Sequence, residues 1–170
     1  MTQINYQNTV KKLRNVTVLT TELRESKSLR RLSNDLVERM AKIRVLLADD
    51  HQAILAKVRA LLGDDFEIVN AVSNGRDAVS EVQRLRPDIL IIDISMPVLN
   101  GLDAVSQLRS FRSETKVVML TVHEDPEFVS AALHVGASGY VVKEQIATDL
   151  VPAIHECLQG RSYISKSIQR

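Results

Sequence analysis

From residue 42 onward, short apolar runs alternate with segments whose apolar residues recur every three to four positions. The runs are IRVLLA (43–48), FEIVNAV (66–72), DILIID (88–93), KVVMLT (116–121) and GYVV (139–142). Each is rich in Val, Ile and Leu and shows little apolar–polar alternation. A strand with one wet face alternates, so these runs predict strands covered on both faces, as in a parallel sheet. The segments between them carry helical stripes. Ile54, Leu55, Val58, Leu61 and Leu62 form the first, and Ala78, Val82 and Leu85 the second. Leu102, Val105 and Leu108 follow, then Phe128, Ala132 and Val135, and last Leu150, Ile154, Cys157 and Leu158. Gly63, Gly136 and Gly160 stand where helix C-terminal caps belong. Thr148 is expected to cap the last helix, which places Pro152 near its first turn, where proline does least harm.

Strand–helix units in succession predict an α/β fold: a doubly wound, five-stranded parallel sheet with helices on both faces. In such sheets chemistry sits beyond the C-terminal ends of the strands, near the reversal of strand order. Asp49 and Asp50 end the first run, Asp93 the third and Thr121 the fourth, and Lys143 follows the fifth. Taken singly, each reads as a loop acid, a strand hydroxyl or an exposed charge. Their arrival at one rim is harder to explain that way. Like charges about 4 Å apart repel by roughly 4 kcal/mol in a partly screened site. Three clustered carboxylates therefore need positive charge. Lys143 supplies one unit and a divalent cation would supply the rest. All-oxygen ligation favours Mg2+, which keeps several waters and leaves room for a phosphoryl oxygen. Such a set can accept a phosphoryl group, because aspartate forms an acyl phosphate.

Composition changes this picture little. The chain has 170 residues, room for one domain and an appendage, and a net charge of +1. Residues 1–41 hold eight Lys/Arg against four Asp/Glu, and residues 42–170 hold fourteen against seventeen, so the parts carry +4 and −3. Neither charge points to nucleic acid or membrane. Cys157 is the sole cysteine, which excludes an internal disulfide and fits a reducing, cytoplasmic setting. No apolar run approaches the roughly 20 residues of a membrane span.

The stretches VLLADDH, ILIIDISMPVLNG, VVMLT and GASGYVVK resemble the receiver domain of bacterial two-component response regulators, the CheY-like domain, over about residues 42–160. DDH and GASGYVVK look most like the NarL/FixJ subfamily, whose members usually carry a LuxR-type DNA-binding domain. The resemblance implies that Asp93 accepts the phosphoryl group. Asp50 would ligate Mg2+ directly, Asp49 through water, and the Ser95 carbonyl would complete the protein ligands beside Asp93. Thr121 and Lys143 would hold phosphoryl oxygens, and Tyr140 would be an aromatic switch that packs inward when Thr121 moves. A histidine kinase or phosphotransfer protein would be the donor, and slow self-dephosphorylation would reset the switch. A homodimer is a further expectation. This chain alone should not bind DNA, since no helix-turn-helix follows residue 160.

Two positions depart from the family pattern. Glu144 follows Lys143 where many receivers carry a cis proline. A cis non-proline bond costs roughly 3–4 kcal/mol, so both loop geometries stay open. Val122 follows Thr121 where a smaller residue is common, and would narrow the site. Two alternative functions compete. An aspartyl-phosphate hydrolase would want an acid at position 95, where Ser95 stands. A phosphorylation-independent interaction or dimerisation module would not need the full acidic set.

Other residues read more plainly. His51 is expected to cap or pack in its loop, since Mg2+ disfavours imidazole. His123 should overhang the site, His134 and His155 should lie on the surface, and Cys157 in the core. Met96-Pro97 should shape the loop after Asp93, and Asn100-Gly101 should open a helix. Residues 1–41 form an N-terminal extension. There Leu29, Leu32, Leu36 and Met40 make a stripe that predicts a helix at about 28–40. Residues 161–170 are expected to begin a C-terminal linker or tail.

Overall fold

The structure, a computed structural model, describes residues 42–168. The helix expected at 28–40 lies outside the described residues. Five parallel strands appear where the apolar runs fall: β1 (Ile43–Ala48), β2 (Phe66–Val72), β3 (Ile89–Asp93), β4 (Lys116–Thr121) and β5 (Gly139–Val142). Helices α1 (Gln52–Leu62), α2 (Gly75–Leu85), α3 (Gly101–Ser110), α4 (Pro126–Val135) and α5 (Ile146–Leu158) connect and follow them. A sixth strand, β6 (Tyr163–Ile164), adds to the expected five, and the order is β2-β1-β3-β4-β5-β6. Two residues are too few to show a period, so this strand left no mark on the apolar pattern.

Both faces of the sheet are dry because alternate strand residues serve different layers. Leu46, Leu90, Ile92 and Met119 pack with Ala78, Val82, Val105, Leu108 and Ala132, under α2, α3 and α4. Val45, Leu47, Ile89, Ile91, Val118 and Leu120 pack with Leu55, Val58, Leu150 and Ile154, under α1 and α5. Strand order reverses between β1 and β3, which opens a crevice beyond their C-terminal ends.

Helix starts follow local chemistry. Asn74 and Asn100 each accept the amide of an aspartate three residues on, Asp77 and Asp103, and donate back to its carboxylate. Pro126 opens α4 and Gly136 closes it at φ 109°, a conformation natural to glycine. The last helix corrects an expectation. A 3-10 turn, Lys143–Gln145, runs straight into α5, so the helix begins before Thr148. The Thr148 hydroxyl turns back to the Gln145 carbonyl instead of capping, and Pro152 lies inside the helix. Every described peptide bond is trans, including Lys143–Glu144.

Candidate phosphoacceptor site

Three strands deliver the site. β1 ends one residue before Asp49, β3 ends at Asp93, and β4 ends at Thr121. Asp49, Asp93 and Thr121 are all buried. The Lys143 ammonium, from the turn after β5, lies 2.8 Å from Asp49 Oδ2 and 2.9 Å from Asp93 Oδ2. One cation thus bridges two carboxylates at the β1/β3 crevice. Asp50 stands beside them, partly exposed.

Burial sets the electrostatics. It pushes the Asp93 carboxyl above its ordinary range, against the Lys143 hydrogen bond, and the nearby Asp49 charge adds to the rise. Burial alone would lower the Lys143 ammonium, but its contacts with Asp49 and Asp93 win and hold it above the usual value. The Ser95 amide donates to Asp93. Thr121 accepts the amide of His123 at 3.0 Å, and the Tyr140 hydroxyl donates to the His123 carbonyl at 2.9 Å. The Tyr140 ring is already fully buried. Val122, expected to narrow the site, is 57% exposed.

The histidines differ from one another. His51 occupies the N-cap position of α1 without a side-chain cap. Its ring instead leans on the acids, Nδ1 lying 2.8 Å from Asp50 Oδ1 and 3.3 Å from Asp49 Oδ1. Two adjacent carboxylates attract a ring N–H more strongly than a loop does, which is why the packing expectation failed. His123 does overhang the site: its ring stacks on Phe128 and its Nε2 faces the Ser95 hydroxyl at 3.4 Å. His134 and His155 are exposed.

Ligand oxygens of Asp49, Asp50 and Asp93 lie within 4.8 Å of one another, together with His51. Asp49 Oδ2 is buried and, among the described residues, receives no hydrogen bond of good geometry, only the ionic contact of Lys143. An under-coordinated buried carboxylate oxygen among other acids fits a hard divalent cation. Millimolar Mg2+ is therefore expected to raise the melting temperature, with about 2.7 kcal/mol of stabilisation at a hundredfold excess over Kd. Asp50→Ala should remove most of that gain. Calorimetry showing no response to Mg2+ would count against the site.

Sequence reasoning missed Asp149 and Ser165, both buried polar residues. The signal was present. Asp149 falls on the buried stripe of α5 beside Leu150 and Ala153, and an acid on an apolar stripe must find a partner.

Comparison with known proteins places this geometry among relatives. The family model for the response regulator receiver domain matches residues 45–155. The chain is 36% identical over 129 residues to the transcriptional regulatory protein DegU of Brevibacillus brevis, covering 75% of this chain and 55% of that protein. It spans only 55 to 60% of the length of such curated relatives. Among solved structures, the signal receiver domain of NarL from Mycobacterium tuberculosis is similar with a TM-score of 0.67 and 32% identity, over 71% of this chain and 98% of that one. The isolated receiver domain of RcsB from Salmonella enterica, solved with phosphomimetic BeF3−, is similar with a TM-score of 0.70 and 25% identity, over 76% and 97%.

Proposed function

Since the chain belongs to the response regulator receiver family, we propose that it takes a phosphoryl group onto Asp93 from a phosphohistidine donor and so switches an output surface. The observation that carries this reading is the Lys143 ammonium bridging Asp49 and Asp93 at the sheet's reversal point. The donor would be a histidine kinase or a phosphotransfer protein acting in the cytoplasm. Asp93 attacks phosphorus in line. A P–O bond forms as the P–N bond breaks, and the donor imidazole leaves with the bonding pair. Burial makes the Asp93 carboxylate more basic and thus a better nucleophile. Lys143 holds one phosphoryl oxygen, and Thr121 exchanges its His123 amide bond for another. Mg2+, held by Asp49, Asp50, Asp93 and the Ser95 carbonyl, would neutralise charge building on the phosphoryl group.

The added charge biases a two-state arrangement of α4, β5 and α5; Tyr140, whose ring is already inward before Thr121 moves, would act as its aromatic switch through its hydroxyl bond to the His123 carbonyl. Dimerisation of the chain would follow from the altered surface. DegU carries the name of a transcriptional regulatory protein. We infer the same output here, through a DNA-binding domain separate from residues 42–160. Slow hydrolysis at Asp93 resets the state.

The test is incubation with a small labelled acyl phosphate and Mg2+. A stable, hydroxylamine-sensitive label at one residue per chain is expected. Steady release of phosphate without bound label would favour a hydrolase. Neither label nor turnover would leave only an interaction module.

A further inference from the structure

We propose that residues 163–168 form a latched strap on β5, locked by Asp149 and Ser165, and that its seating is coupled to the phosphoacceptor site. The inference rests on the phosphoacceptor reading of Asp93.

The lock is built from buried polar groups. Asp149 projects from α5 into the interior with no cationic side chain paired to it among the described residues. Its carboxylate is held by hydroxyls: Thr148 Oγ1 at 2.8 Å on Oδ1, with its one proton shared with the Gln145 carbonyl, Ser165 Oγ at 2.7 Å on Oδ2, and the Tyr163 phenol of the strap. Burying a carboxylate is costly unless hydrogen bonds compensate it, so Asp149 and the strap hydroxyls need one another. Ser165 is fully buried and uses every polar group it has along the edge of β5. Its amide donates to the Tyr140 carbonyl at 2.9 Å, and its Oγ accepts the Val142 amide at 3.1 Å. The Ile168 amide closes the turn on the Ser165 carbonyl at 3.1 Å. Ile164 and Ile168 pack against the layer that holds Tyr140. A two-residue strand has little stability of its own, so the lock decides whether it stays.

The strap grips β5 at two residues that matter elsewhere. Tyr140 reaches Thr121 through the backbone of His123: phenol to carbonyl, then amide to hydroxyl. Val142 is bonded to Lys143, whose ammonium touches Asp93. Both arms that would close on a phosphoryl group therefore end on the backbone held by Ser165. When Thr121 leaves the His123 amide, the Tyr140 end of that hold must readjust. A strap seated on one state of β5 resists the other, so phosphorylation should loosen the strap and a missing lock should ease phosphorylation. These are two sides of one coupling.

Amide hydrogen exchange on the full chain, with and without Mg2+ and beryllofluoride as phosphoryl mimic, tests this. Loading should speed exchange of the Val142 and Ser165 amides at least threefold. Ser165→Ala and the shape-conserving Asp149→Asn should speed the same amides about tenfold without the mimic, with Leu47 and Ile91 amides unchanged as proof of fold. Both variants should bind the mimic at least threefold more tightly. Binding of the mimic, read as a rise in melting temperature, with strap exchange unchanged or slowed overturns the coupling alone. No binding at all overturns the phosphoacceptor reading, and the coupling with it. Unchanged exchange at both amides in both variants overturns the lock.

Discussion

Asp93→Asn should cut label incorporation from a phosphodonor on the order of a thousandfold or more, and raise the melting temperature at neutral pH. The first effect follows because an amide offers no anionic oxygen to attack phosphorus. The second follows from burial, which raises the Asp93 carboxyl above its ordinary range in the folded chain. For a raised carboxyl, the stabilising contribution is complete below the unfolded-state pKa and disappears as pH climbs through the folded-state pKa. At neutral pH the ionised form is therefore a net cost, even with Lys143 beside it. Removing that cost should therefore raise the melting temperature. The gain should shrink as pH falls below the carboxylate range, where Asp93 is neutral anyway. Label on the Asn variant, or a lower melting temperature at pH 7, would refute the assignment.

The second large effect is expected at Gly101. Alanine normally improves on glycine within a helix, by up to about 1 kcal/mol, and Gly101 is the first residue of α3. Here the sign should reverse. A Cβ at Gly101 would sit 2.1 Å from the Asp93 carbonyl oxygen and 3.0 Å from the Ile94 Cα. Both are backbone atoms of the segment that presents the phosphoacceptor, and neither can swing away. The Gly101 amide also donates to the Ile94 carbonyl at 2.8 Å, which fixes how closely α3 meets β3. Gly101→Ala should cost about 3 kcal/mol through overpacking. Because Asp93 shifts with the strand end, the response to Mg2+ should fall as well. Thermal melts with and without Mg2+ measure both, and a melting temperature at or above that of the parent would show that the loop yields freely.

The strands were legible because their chemistry is local. IRVLLA, FEIVNAV, KVVMLT and GYVV became β1, β2, β4 and β5 residue for residue, and β3 starts one residue later than DILIID suggested. A sheet covered on both faces demands runs dominated by Val, Ile and Leu, and within residues 42–168 these five runs are where such residues gather. The acids at the rim were legible for the same reason, since a strand's end fixes where Asp93 goes. The rest depends on partners far along the chain. Ser165 meets Asp149 sixteen residues away and Val142 twenty-three away, and no periodicity records such a meeting. Thr148 looked like a cap because nothing in its local pattern shows that the 3-10 turn Lys143–Gln145 already starts the helix at Ile146. His51 is the opposite case: the charges it turned toward, Asp49 and Asp50, are its own neighbours in the DDH stretch, so that contact was open to a local reading.

Cys157 is fully buried at the base of α5, and burial drives its thiol up to about 11. Its sulfur also lies within 3.0 Å of where a side chain at Gly139 would begin, so no reagent has room to approach from the sheet. Thiolate is the reactive form, and only about one part in ten thousand is ionised at pH 7. The chain contains no other cysteine. It is therefore ready for spectroscopic labelling as it stands. A cysteine placed at an exposed position such as Val98 on the loop after β3 would take a maleimide dye or spin label alone, leaving the native thiol silent. Distances between such probes would then report the movement of individual loops in solution without first rebuilding the core.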